Sequence, residues 1–207
     1  GKRYIDAISS WWVSIHGHAH PYLAQKIYEQ ALKLEQVIFA GFTHEPAIEL
    51  SERLLGHLPK NFEKVFFSDN GSTAVEVGLK MALQFFHNQG QTQKRKIIAF
   101  EDAYHGDTFG AMSVGAPSAF NAPFQDMLFE VEFLPSPCDA QACIQAMREK
   151  MEQSADYAAF IFEPLIQGAG GMKMYAPETL DMLIELAHEN QILCIADEIM
   201  TGFARTG

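Results

Sequence analysis

The sequence predicts an α/β fold, a mostly parallel sheet with helices on both faces, and three observations lead there. Four short runs, residues 64–67, 96–100, 158–162 and 192–196, are almost wholly apolar, as strands buried on both faces are. Helix-length segments, most with amphipathic spacing, separate them. No internal repeat, charge block or low-complexity tract interrupts the alternation.

The elements follow in order. Leu23, Ile27, Ala31, Leu34 and Ile38 recur at steps of four, four, three and four, which predicts an amphipathic helix over 21–38. Pro46 suits the first turn of a second helix through about residue 55. The run 64–67 reads as a strand, Asp69-Asn70-Gly71-Ser72 as a turn, and 73–87 as a helix. A polar loop over 88–93 leads to the strand 96–100. Asp139 is placed to cap a helix carrying Ile144, Met147 and Met151 on one face. The strand 158–162 follows, then a loop at Gly168-Ala169-Gly170-Gly171. A helix over 177–189 has Glu178 and Asp181 near its start, where the helix dipole favours acids. The last buried strand is 192–196.

Composition limits the function classes. Of 207 residues, 48% are hydrophobic and 20% charged, a globular profile rather than a disordered one. Fifteen basic residues against 26 acidic give a net charge of −11, which argues against nucleic-acid and anionic-membrane partners. No apolar run approaches the roughly 20 residues of a membrane span. Cys138, Cys143 and Cys194 are too few, and odd in number, for a disulfide framework, so a reducing compartment, the cytoplasm, is expected.

Ligands of parallel α/β sheets bind outside the carboxyl ends of the strands. After the first run, Gly71, Ser72 and Thr73 open a helix, which reads either as a phosphate cradle or as an ordinary helix cap. After the second come Tyr104, His105, Gly106 and Asp107: a ring that can stack on a planar ligand and a proton carrier, or a polar turn with a packed tyrosine. The third ends in Glu163, a sheet-end salt bridge or a ligand contact. The fourth ends in Asp197, a carboxylate that needs a cation or strong donor at the end of a buried run. No His/Cys cluster with ligand spacing accompanies it, and His16, His18 and His20 sit in a Gly-containing loop, so no metal is expected. A cationic ring nitrogen of an organic cofactor suits Asp197 better. A phosphate seat, an aromatic stacker and an acid for a ring nitrogen, in that order, describe pyridoxal 5′-phosphate. The glycines at 168, 170 and 171 read as a loop over the cofactor or as a plain connection.

These residues resemble a known family. The segment Ala196-Asp197-Glu198-Ile199-Met200-Thr201-Gly202-Phe203-Ala204-Arg205-Thr206-Gly207 is similar to the signature of class III pyridoxal-phosphate aminotransferases, with Asn70-Gly71-Ser72-Thr73 at the phosphate motif and Tyr104-His105-Gly106 at the ring-stacking motif. The resemblance narrows at Ser9-Ser10-Trp11-Trp12, Ile15-His16-Gly17, His44-Glu45-Pro46-Ala47, Gly106-Asp107-Thr108-Phe109-Gly110 and Gln167-Gly168-Ala169-Gly170-Gly171-Met172. There it points to members that pass the amino group of S-adenosylmethionine to 8-amino-7-oxononanoate, giving 7,8-diaminononanoate in biotin biosynthesis. It implies a fold type I transferase, here a partial large domain over 46–207 preceded by a 1–45 segment that belongs partly to a small domain and walls the substrate site.

The resemblance also implies roles. Asp197 pairs with the pyridine nitrogen; Gly71, Ser72, Tyr104 and Glu163 serve the cofactor; Trp11, Trp12, Tyr104, Asp107 and Arg205 serve the substrate. By packing alone the tryptophans would be core or interface residues. A homodimer is implied as well. Two departures are evident. The usual Gly-Phe-Gly-Arg is Gly202-Phe203-Ala204-Arg205 here, a change that matters only where a positive φ is required. The family's Schiff-base lysine lies a few tens of residues beyond the aspartate, whereas the last lysine here is Lys173. The chain is therefore expected to be an internal fragment, inactive alone. The alternatives are another class III enzyme, such as an ω-amino acid:pyruvate aminotransferase, or, for the fragment itself, a non-catalytic ligand-binding module.

Overall fold

The computed structural model describes residues 1–206, and the chain falls into two compact units, 1–66 and 67–207. Gly207, which closes the signature segment, lies outside the described residues.

In the first unit, the one-turn segment α1 (Ser9–Trp12) winds left-handed, with φ of 50°, 49°, 61° and 70°. L-residues resist this conformation by roughly 1–2 kcal/mol each. Asp6 holds the turn: its Oδ2 accepts from Ser10 N at 2.7 Å and faces His18 Nε2 at 2.7 Å. Helix α2 (Pro21–Lys33) stops short of the predicted 38, because Leu34 turns extended and its N–H closes on Gln30 O. Helix α3 (Glu45–His57) starts one residue before Pro46, with the His44 ring accepting from Ala47 N. The apolar stripe expected of the first helix is exposed, Ile27 at 71%. Residues 64–67 form no strand, and three of the four are exposed rather than packed into a sheet core.

The second unit is built on a four-stranded parallel sheet in the order β2-β1-β3-β6. Strand β1 (Lys96–Phe100) matches its predicted bounds, and β3 (Tyr157–Phe162) is buried at every residue. Strand β2 (Glu132–Leu134) was not foreseen: three residues give too short a pattern to read. The expected buried strand 192–196 is β6 (Leu193–Ala196), only half-buried because it has a neighbour on one side alone. Helix α4 (Gly71–Asn88) begins at Gly71, two residues before the predicted start, since Asn70 is the N-cap of a capping box with Thr73. Short α5 (Phe109–Val114) follows, then a 3-10 turn at Ala122–Met127, α6 (Ala140–Gln153) capped by Asp139 as expected, and α7 (Pro177–Glu189).

The two-residue alternation of the strands divides the core. Ile98, Phe100, Phe160 and Phe162 pack with Met147 and Leu183 in one cluster, while Ile97, Ala99 and Ile161 pack with Val75, Leu79 and Val114 in the other. Helices α6 and α7 cover the first face, α4 and α5 the second. The glycines at 168, 170 and 171 form the turn of a small hairpin, β4 (Ile166–Gln167) against β5 (Lys173–Met174).

Candidate active site

The parallel register brings three strand ends to one edge of the sheet. Asp197 N donates to Phe162 O at 2.8 Å, which continues the β3–β6 ladder one step and sets the aspartate at its end. Asp197 is 8% exposed, and its Oδ1 accepts from Ile199 N at 3.1 Å. Its Oδ2 lies 2.7 Å from Nδ1 of His105, whose side chain is fully buried. Because a carboxylate only accepts, Nδ1 carries the proton of this bond. His105 Nε2 is buried without a protein partner among the described residues.

Tyr104 stands beside this pair, the residue 43% exposed and its phenol donating to Asp107 Oδ2 at 2.9 Å. Burial, the Asp107 hydrogen bond and the charges of Asp107 and Asp197 push its hydroxyl up to about 12, so it stays protonated. Asp107 N in turn donates to Ser72 Oγ at 3.2 Å. Ser72 keeps its own O–H to donate, at the first turn of α4, where backbone amides have no carbonyl four residues back. Gly106, at φ +125°, lets the loop touch this turn, since a Cβ there would collide with Ser72 Oγ. Gly71 serves packing as well: a Cβ would meet Ile199 Cδ1 at 2.9 Å. Asn70 and Thr73 do the capping, while the amides of Gly71 and Ser72 lie in the first turn, where no carbonyl stands four residues back.

Glu163, expected at the cofactor, turns both carboxylate oxygens to the main chain. Oε1 accepts from Tyr104 N at 3.2 Å and Oε2 from Gly168 N at 2.8 Å. Burial raises its pKa against those two hydrogen bonds. Arg205 lies on the exposed turn after Thr201, and on that turn Phe203 and Ala204 have φ of 59° and 62°. The condition under which the Ala204 departure matters is therefore met. Trp11 and Trp12 belong to the first unit, with ring centroids 5.6 Å apart and Trp11 68% exposed.

Two site-supporting residues were given no role by the sequence reading. Glu76 Oε1 accepts from Thr108 Oγ1 and from the N–H groups of Gly110 and Ala111, capping α5 just beyond the Tyr104 loop. Gln167, fully buried, donates to Glu101 O at 2.7 Å. Their partners lie more than thirty positions away in sequence, so only folding reveals them. Among the described residues no group of His, Cys, Asp and Glu is arranged to hold a metal, and no helix is long and apolar enough to cross a membrane.

Comparison with known proteins places this geometry. The chain is 54% identical, over all its length and 51% of the relative's, to the adenosylmethionine-8-amino-7-oxononanoate aminotransferase of Synechococcus elongatus. The crystal structure of the like-named enzyme of Methanocaldococcus jannaschii superposes with a TM-score of 0.93 at 35% identity, covering 98% of this chain and 46% of that one. An aminotransferase of Vibrio fluvialis, solved in its PMP-bound form, superposes at 0.90 with 29% identity, covering 100% and 49%. The chain spans about half the length of the curated relatives it matches. Residues 1–207 match the family described as Aminotransferase class-III. The chain belongs to the class-III aminotransferase family.

Proposed function

We propose that the protein containing this chain is a pyridoxal-phosphate transaminase. It transfers the amino group of S-adenosylmethionine to 8-amino-7-oxononanoate and yields 7,8-diaminononanoate for biotin synthesis. The observation that carries the reading is the convergence of Ser72, Tyr104 and Asp197. In one cluster the site offers amides at a helix N-terminus for an anion, an aromatic face for a planar ring, and a buried carboxylate for a protonated ring nitrogen. Pyridoxal phosphate presents all three complementary groups, so the residues fit it.

When bound, the cofactor supplies the electron sink for moving an amino group between carbons. The chain supplies position and charge. Asp197 would accept a hydrogen bond from the protonated ring nitrogen and so keep the proton there, with His105 and Ile199 N fixing the carboxylate's rotamer. The Tyr104 ring would stack on the cofactor, steadied by Asp107. Gly71 and Ser72 would hold the phosphate. Trp11, Trp12, Asp107 and Arg205 face the substrates, residues 1–45 serve as the substrate wall and part of a small domain, and 46–207 form part of the cofactor domain. No residue of this chain is assigned the proton transfer. The working form is a homodimer in the cytoplasm.

The donor assignment is supported by the relatives' names and by the words around Trp11-Trp12 and Gln167–Met172. It is tested by mixing the full-length, cofactor-loaded protein with S-adenosylmethionine in a stopped-flow spectrophotometer. Loss of the pyridoxal absorbance is expected. Loss with alanine or glutamate alone would reject the biotin role.

A further inference from the structure

The hairpin β4–β5 is tied to the loop after β1 at several independent points, and all of them precede or touch Tyr104. Glu163 accepts from Tyr104 N with one oxygen and from Gly168 N, at the hairpin turn, with the other. Gln167 donates to Glu101 O, and Lys173 pairs with Asp102 at 2.5 Å. Gly170 lies so close that a Cβ would strike Asp102 O. Tyr175 O–H donates to the carbonyl of Glu163 itself and anchors the brace from the hairpin's far side. The loop needs such restraint, because Asp102 is held at φ +62°, a strained region for a residue with a Cβ.

We propose that Glu163 is a positioning residue, fixing the Tyr104 ring by bridging the main chain of its loop to that of the glycine turn. This rests on the reading of Tyr104 as the cofactor-stacking ring. Glu163 is only 6% exposed, and both of its oxygens are committed to N–H groups, so it acts through Tyr104 rather than on the cofactor. The bridge requires two acceptors on one side chain. Glutamine offers one acceptor and one NH2, so one main-chain N–H would face a donor and the loop would move away. A carboxylate is the only side-chain end that satisfies both at this reach.

The test is a double-mutant cycle in the full-length protein, read as the pyridoxal phosphate dissociation constant by fluorescence titration, with melting temperature recorded for each variant. Glu163→Gln is expected to weaken cofactor binding about tenfold in the native background, the scale of one lost buried hydrogen bond to a charged group. In a Tyr104→Ala background it is expected to change binding less than twofold. A general loss of stability would lower the melting temperature in both backgrounds without this selective loss of affinity. If Glu163→Gln does not fold, Glu163→Asp, which keeps the charge but not the reach, carries the same cycle. Equal losses in both backgrounds, or no loss in either, overturn the proposal. A native protein that binds pyridoxal phosphate while the cycle is additive refutes only the Glu163 role. A native protein that does not bind it refutes the site reading as well.

Discussion

His105 Nδ1 and Asp197 Oδ2 meet at 2.7 Å with side chains 0% and 5% exposed, although 92 residues separate them in sequence. The pair joins the end of one strand to the loop after another, so the carboxylate proposed to meet the cofactor has its orientation fixed by His105. Removing either member leaves the other buried without its partner.

Asp197→Asn in the full-length protein is expected to weaken pyridoxal phosphate binding by roughly 10- to 150-fold, the range for a charge-assisted hydrogen bond. Equilibrium titration of the apoprotein measures it. His105→Phe is expected to lower unfolding stability by about 1–3 kcal/mol, because the carboxylate keeps only the Ile199 N–H, and urea unfolding reads that directly. Asp197→Asn binding as tightly as the native protein would remove Asp197 from its assigned role.

Gly106→Ala combines a collision with Ser72 Oγ and a φ of +125° that a Cβ resists. The Tyr104 loop should lift from the first turn of α4, and phosphate-dependent cofactor affinity should fall about tenfold or more. Pyridoxal without its phosphate serves as the control ligand, since its weaker binding should change far less.

Glu132 gathers Lys150, the Tyr157 hydroxyl and Lys96 at the start of the sheet. Burial alone would raise its pKa, but these partners outweigh it and hold the carboxyl at about 2, against an ordinary 4.5. A folded-state pKa below the unfolded one contributes stability that is fully present above about 4.5 and disappears as pH falls towards about 2. Glu132→Gln should cost about 2 kcal/mol at pH 6, with a smaller gap near pH 3. Urea midpoints at the two pH values test it, and a gap that does not change with pH would contradict the assignment.

Ala204 occupies the left-handed region at φ +62°. Ala204→Gly should relieve local strain, partly offset by the freer unfolded chain, for a net gain of roughly 0.5–1 kcal/mol. Thermal unfolding of the full-length pair is the measurement, and a lower melting temperature for the glycine variant would show that the strain is held elsewhere.

Much of this protein was legible from local chemistry. The strand at 96–100, the strand read at 158–162, the helix at 177–189 and the Asp139 cap need only apolar runs, a proline and an N-terminal acceptor, all set by near neighbours. The placement of Tyr104, Glu163 and Asp197 at strand ends followed from the same reading. What failed depended on partners. The run 64–67 has strand composition but stays largely exposed and forms no strand, and β6 is half-exposed at the edge of the sheet.

The sequence by itself determined the class, the order of strand ends and the residue types waiting at each, because periodicity and capping are local. Only the tertiary structure decided which side chains are buried together and which turn to the main chain. It buried His105 behind Asp197, turned Glu163 to two N–H groups and required a left-handed turn at Ala204. Those outcomes depend on hydrogen bonds and close approaches between segments far apart in the chain, which exist only once the sheet has set their register.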